Sequence, residues 1–411
     1  MINREVLKYY LQHLQNLVFE VTDLCNLDCK YCGFSELYRG YDKREGKMLS
    51  FEKARLMIDY VLQLRKYPLD VYYPLMVGFY GGEPLLNMPL IQQVVEYIEN
   101  KPNTQKFIMH NMTTNAVLLD KYMDYLVEKQ FFLLISLDGD ETGQSYRVDH
   151  TGKNSFDRVF QNVQLLREKY PDYFQTRVGF IAVLHRRNSV ESILRFIKDT
   201  FGKVPTISAL SFSGINEENL SEFNEIYQNF NESYQNSLNC EALDAEMFIR
   251  SPKISNLLNY IHRQSGNMYD SFNHLIFNQI KEKLPTGTCI PFSKKLFVTV
   301  NGKILPCEKI GHDIVLGNVL DDRVELFDLD SIAENHNRYI SKFKEQCNVC
   351  GLNEQCPQCV YYCRDIHKEN VRCSDFCSKE KSEQYLRGMF DYLRDHPSYY
   401  AKILQEVAIK S

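Results

Sequence analysis

The chemistry of this chain is carried by thirteen cysteines, twelve of which fall into two arrays. The first is Cys25-Asn-Leu-Asp-Cys29-Lys-Tyr-Cys32. Three thiolates within eight residues can wrap one face of an iron–sulfur cubane, and they leave its fourth iron to an exchangeable ligand. Zinc would need a fourth ligand close by, and core thiols rarely cluster so tightly. The second array runs Cys289-x12-Gly302-x4-Cys307, then Cys347-x2-Cys350-x5-Cys356-x2-Cys359-x3-Cys363, then Cys373-x3-Cys377. Its C-x2-C-x5-C-x2-C run would by itself also suit a structural zinc. Cys240 stands alone and reads as an ordinary buried thiol.

The elements that must position these thiols are legible in the first half. Six β-like runs appear at 17–21, 75–82, 107–115, 132–139, 177–184 and 206–213, and helical patterns follow the first five. Apolar stripes at helical spacing include Ala54, Met57, Ile58, Val61 and Leu62, then Phe156, Val159, Phe160, Val163 and Leu166, then Val190, Ile193, Leu194 and Ile197. Alternating strands and helices imply parallel strands joined by right-handed crossovers. Six units are too few to close an eight-fold barrel, so the expected fold is α/β: an open, partial (β/α)6 TIM-type barrel over residues 1–215. Residues 216–284 read as a helical bridge, with Phe223, Ile226, Tyr227 and Phe230 at helical spacing. Residues 285–380 form a Cys-rich module, and 381–411 a C-terminal helix.

In such barrels chemistry sits at the C-terminal ends of the strands, and polar motifs stand there. The second strand runs into Gly81-Gly82-Glu83-Pro84, where glycines allow close backbone approach and a carboxylate can accept from a cationic amine. The third ends in Thr113-Thr114-Asn115 and the fourth in Ser136-Leu137-Asp138-Gly139. These hydroxyl, amide and carboxylate groups suit a ribose and an amino-acid carboxylate.

The Cys25/Cys29/Cys32 spacing after the first strand, with the Gly-Gly-Glu-Pro and Ser-Leu-Asp-Gly motifs, resembles the radical SAM superfamily. The resemblance implies a 4Fe-4S cluster on these cysteines and S-adenosylmethionine chelated to its open iron. Reductive cleavage would then give a 5′-deoxyadenosyl radical that abstracts a hydrogen atom. It further implies that Glu83, with backbone near Gly81 and Gly82, holds the ammonium group of S-adenosylmethionine. Ser136 and Arg147 would hold its carboxylate, Tyr31 would flank the adenine, and Thr114, Asn115 and Asp138 would complete the cofactor set. The C-terminal array resembles the SPASM domain, which carries two auxiliary 4Fe-4S clusters. By that resemblance Cys347, Cys350, Cys356 and Cys377 hold the outer cluster. Cys289 and Cys307 begin the inner one, completed from Cys359, Cys363 and Cys373. Here the chain departs from the pattern: Cys356 to Cys359 is x2 rather than x3, and Cys363 and Cys373 are extra.

Composition narrows the partners. A net charge of −5 with no Lys/Arg-rich run argues against nucleic acid. The N-terminus lacks a signal-peptide pattern, and no stretch approaches the roughly 18 apolar residues of a membrane span. The expected location is cytoplasmic, a reducing setting in which metal explains cysteines better than disulfides. Three reactions remain open. One is maturation of a ribosomal peptide by a thioether or other side-chain cross-link. Another is formylglycine formation of the anaerobic sulfatase-maturase type, whose members carry Asp directly after the cysteine matching Cys307, where this chain has Glu308. The last is a non-catalytic iron–sulfur electron carrier or scaffold, disfavoured by the intact motif set. Peptide maturation is favoured, with Glu308 as candidate base. The expected partners are a precursor peptide or protein and an external electron donor such as flavodoxin or ferredoxin. With only 16 residues before the first strand, a separate leader-binding protein is a further expectation.

Overall fold

A computed structural model describes residues 1–65, 74–102, 108–212, 214–251, 253–255, 257–258, 290–353, 356, 358–363, 366, 368–369, 371–373 and 376–406. The six expected strands are present as β1 (Asn16–Thr22), β2 (Leu75–Gly81), β3 (Ile108–Thr114), β4 (Phe132–Ser136), β5 (Val178–Leu184) and β6 (Thr206–Ala209). They pair in chain order and all in parallel. The fourth and sixth runs are shorter as strands than their sequence suggested, because the chain after Ser136 and after Ala209 turns into loops.

Register divides the sheet into two unlike faces. Phe19, Phe79, Met112, Leu133, Ile135 and Phe180 are buried under the helices. The other face carries Val18, Gly78, Tyr80, Asn111, Thr113, Leu134, Gly179 and Ile181, most of them half-buried. The helices Phe51–Leu64, Phe156–Lys169 and Val190–Phe201 bury Ala54, Met57, Ile58 and Val61, then Val159, Val163 and Leu166, then Val190, Ile193, Leu194 and Ile197. The stripes read in the sequence thus face inward, while Leu62, Phe156 and Phe160 lie at their margins.

The sheet does not stop at six strands. β7 (Leu296–Val298) adds in parallel to the free side of β1, and β8 (Lys303–Leu305), β9 (Gly317–Val319) and β10 (Val324–Leu326) continue antiparallel. The β7–β8 turn needs Gly302, whose φ of +83° favours glycine and whose Cβ would strike the Val319 carbonyl. Buried Glu20 in β1 accepts from the Val300 N–H (3.0 Å) and ties this turn to the sheet.

Two compact units result, and they cut across the boundaries read from the sequence. One comprises Ile2–Asn236 and Ile290–His336, so the strands of the Cys-rich module and the first part of the bridge join the barrel unit. The physical reason is the β1–β7 ladder. The second unit contains Met1, Ser237–Cys289 and Asn337–Ser411. It includes the helix Cys240–Met247 and, where one C-terminal helix was expected, two: Lys379–Asp395 and Pro397–Glu406. Ile254, Leu257 and Ile403 form its apolar centre, and buried Asp244 accepts from Tyr392. Cys240 is half-buried rather than buried, and opens the first of these helices.

Candidate active site

The loop carrying Cys25, Cys29 and Cys32 has no regular structure of its own, so other segments must hold its backbone. Gly82 N–H donates to Thr22 O (3.0 Å) and Glu83 N–H to Leu24 O (2.9 Å), extending the β1–β2 ladder past the strand ends. This explains the double glycine differently from a ligand approach: a Cβ at either Gly81 or Gly82 would collide with Thr22 O or Leu24 O. From the other side Asp28 N–H donates to Val148 O (2.7 Å) and Lys30 N–H to Tyr146 O (3.0 Å).

Burial raises the thiols of Cys25, to about 11, and Cys29, to about 12; the three thiols of the loop lie within one another's electrostatic reach. As the side chains stand, no three His, Cys, Asp or Glu among the described residues form a group that could hold a metal ion. The donor set nevertheless suits iron: desolvated thiols on one short loop gain from a cation that stabilises thiolate. The buried Asn26 Nδ2, beside Cys25, has no hydrogen-bond partner. Asn115 Nδ2 donates to Asn26 Oδ1 (2.7 Å) and stands 3.9 Å from Cys25 Sγ.

Glu83 is 1% exposed. Its carboxylate accepts from Thr114 Oγ1 (2.7 Å), Asn115 N–H (2.7 Å) and Leu85 N–H (3.1 Å), sewing the end of β2 to that of β3. Burial outweighs these donors and raises its carboxyl to about 7.

Asp138 is 0% exposed and enclosed by the protein's own groups. Its oxygens accept from Arg147 Nε (2.9 Å) and Nη2 (3.1 Å), from Val183 N–H (2.8 Å) and from the Tyr31 hydroxyl. Burial alone would raise its carboxyl, but Arg147 and His185 override this and hold it at about 2. His185, also 0% exposed, lies 3.8 Å from Asp138, stacks on Tyr31 and meets the Tyr146 ring at a tilt of 58°. Nothing in the sequence flagged His185. Arg147 and Tyr31 are therefore fixed by a buried carboxylate, while Ser136 is buried at the end of β4.

Glu308 lies elsewhere on the same unit. It follows β8, which runs antiparallel to β7, so the chain has returned to the N-terminal end of the barrel strands. Both of its oxygens lie 2.9 Å from Lys295 Nζ. Burial pushes its carboxyl up, and the Lys295 ammonium outweighs that to hold it below the usual range. Cys307 beside it is raised by burial and by Glu308 to about 12. Glu308 and Lys295 line a cavity of about 520 Å³ with Tyr80, Asn111, Thr113 and Ile181 of the half-buried sheet face. Lys295 gave no sequence signal, since nothing distinguishes it from the neighbouring Lys294 until the strands pair.

In the second unit, Cys347 feels Cys356, Cys373 and Cys350 electrostatically, and burial raises it to about 11. Gln346 clamps the last of these segments: its Nε2 donates to Val371 O (2.8 Å) and its Oε1 accepts from Cys373 N–H (3.0 Å). Cys377 instead accepts, through its carbonyl, from Gly351 N–H (2.8 Å). Cys363 is buried and Cys359 half-buried. Cys289 lies outside the described residues.

Residues 19–200, a little under half of the chain, match the family model of the Radical SAM superfamily. It is 25% identical to the radical SAM cyclopropyl synthase TigE of Paramaledivibacter caminithermalis, over 43% of this chain and 36% of that protein. It is 24% identical to the cysteine-type anaerobic sulfatase-maturating enzyme of Clostridium novyi, over 46% of this chain and 49% of that one. The match thus spans half or less of the length of these relatives. The fold resembles native anSMEcpe solved with AdoMet and the Cp18Cys peptide, with TM-score 0.60 and 18% identity, covering 95% of this chain and 99% of that one. Such a domain implies a 4Fe-4S cluster and S-adenosylmethionine as cofactors. Among the described residues no helix is long and apolar enough to cross a membrane.

Two outcomes test this geometry. Because the folded Glu83 carboxyl titrates near 7, above its unfolded value, the folded state binds the extra proton between the two. The stability of the iron-free chain relative to its Glu83→Gln variant should therefore fall as pH rises from about 5 to about 8 in thermal unfolding. Asp138→Asn strands a buried guanidinium and should cost about 3–5 kcal/mol in denaturant unfolding.

Proposed function

We propose that this protein is a radical SAM maturase that modifies a side chain of a ribosomally made peptide, for example by a thioether or other cross-link. Cys25, Cys29 and Cys32 would hold the cluster. The chain edge at Gly81–Glu83, with Asn115, Ser136, Arg147 and Tyr31, would seat S-adenosylmethionine. Bound there, the pair supplies one-electron cleavage of the sulfonium and a carbon radical that abstracts hydrogen. Asp138 keeps Tyr31 and Arg147 in place, leaving Arg147 Nη1 outside the ion pair. Cys347, Cys350, Cys356 and Cys373 are the better outer auxiliary set, because Gln346 fixes the Cys373 backbone beside the helix that bears Cys347.

The observation that carries the reading is Glu308. It is a carboxylate facing a chamber enclosed by the half-buried sheet face, at the opposite strand ends from the Cys25–Cys32 loop. A substrate side chain in the chamber would have the hydrogen-abstracting site on one side and a proton acceptor on the other. Lys295 keeps Glu308 ionised and aimed. Formylglycine formation is the second reading, supported by the matching relative and by a carboxylate at this position.

Glu308→Gln keeps size and hydrogen bonding but removes the base. The variant should retain its iron and still release 5′-deoxyadenosine. With a peptide that the wild type modifies, product formation should fall on the order of 10²-fold or more. Wild-type product formation would remove Glu308 from the reaction.

A further inference from the structure

The chamber beside Glu308 has an uneven charge lining. Its charged residues are Arg177, Lys295, Lys309 and Glu308, three cations against one carboxylate. Lys295 and Glu308 cancel each other across two contacts of 2.9 Å. Among the described residues neither Arg177 nor Lys309 forms an ion pair, so the chamber keeps two uncompensated positive charges. Arg177 is also held in place: its guanidinium carbon sits 4.2 Å from the centre of the Phe132 ring, itself a lining residue. Lys309 follows Glu308 directly, and its N–H donates to Cys307 Sγ (3.3 Å).

Both cations stand at the same end of the chamber. Arg177 precedes β5, whose first residue Val178 pairs with Leu133 near the start of β4. Lys309 follows β8, which returns the chain to the start of β7. Beside them Thr176 and Lys309 are exposed, so this end is the one open to solvent. The other polar residues of the wall are neutral, and two of them, Asn111 and Thr113, sit deeper along β3. A mouth lined by one sign of charge over low-dielectric walls concentrates ligands of the opposite sign.

We infer that the chamber selects a peptide segment bearing carboxylates beside the residue to be modified, with Arg177 and Lys309 as the specificity-determining pair. This rests on the peptide-maturation reading and adds its substrate class. The neutral depth of the chamber accommodates the reacting side chain. The carboxylates stay at the mouth, where their water is only partly lost and the charge attraction is not offset by full desolvation.

The test uses the iron-reconstituted full chain and three fluorescein-labelled ten-residue Gly/Ser peptides, carrying three Glu, three Gln or three Lys, read by fluorescence anisotropy. The Glu peptide should bind roughly tenfold or more tighter than the Gln peptide, with the Lys peptide weakest, and the gap should shrink in high salt. The double variant R177Q/K309Q should lose most of the Glu-over-Gln preference. The charge-conserving R177K/K309R should restore it, which separates charge from damage to the fold. A Lys121→Gln variant on the exposed surface of the helix Leu119–Glu128 should keep it, which separates the mouth from net charge. Equal binding of Glu and Gln peptides, or a preference that survives R177Q/K309Q, overturns the inference while leaving peptide maturation standing. If none of the peptides binds while 5′-deoxyadenosine is still released, the peptide reading falls and this inference with it.

Discussion

A single buried carboxylate, Asp138, is the interaction on which the cofactor end of the barrel depends. A charge without solvent contact must be fully paired, and Asp138 meets that demand with hydrogen bonds from three places and the His185 ring 3.8 Å away. Tyr31 comes from the cysteine loop, Val183 from the neighbouring strand, Arg147 from the segment after β4, and His185 from the end of β5. Any movement of the loop away from the strand ends would therefore uncover a charge. The same arm returns two backbone bonds to the loop, from Tyr146 and Val148. A segment with no helix or strand of its own is thus anchored through both backbone and side chain.

The other determining feature is the ladder between β1 and β7. It adds residues 296–326 to the barrel sheet, and through the β7–β8 hairpin it delivers Cys307 and Glu308 to the strand starts. The half-buried sheet face between the two ends mixes polar and apolar side chains and contains Gly179, which leaves room for a chamber rather than a packed core. The wall, the carboxylate and the cysteine loop are consequences of one sheet continuing past its parallel part.

Much of this was legible beforehand because it depends on local pattern. Strand order, helix stripes and the cysteine loop follow from period and spacing, and the sheet bears them out. What the sequence hid depends on pairing between distant segments. Asp138 looked like a ligand because it ends a strand in a polar motif; only its enclosure assigns it to the protein. The glycines at 81 and 82 suggested ligand approach, whereas it is the neighbouring chain at Thr22 and Leu24 that comes close. The resemblance implies Cys377 rather than Cys373 for the outer cluster, and the Gln346 clamp that argues otherwise has no periodicity to announce it. Lys295 and His185 carry no motif, so no reading of types and distances along the chain could have found them.

The central claim is that the Cys25–Cys32 loop, held against the strand ends, supports reductive cleavage of S-adenosylmethionine. The most direct measurement is 5′-deoxyadenosine released by the anaerobically reconstituted protein with reductant, compared with the variant in which Cys25, Cys29 and Cys32 are all Ala. The account predicts release by the wild type, with loss of that release and of about four irons in the variant. Continued release by the variant would contradict it.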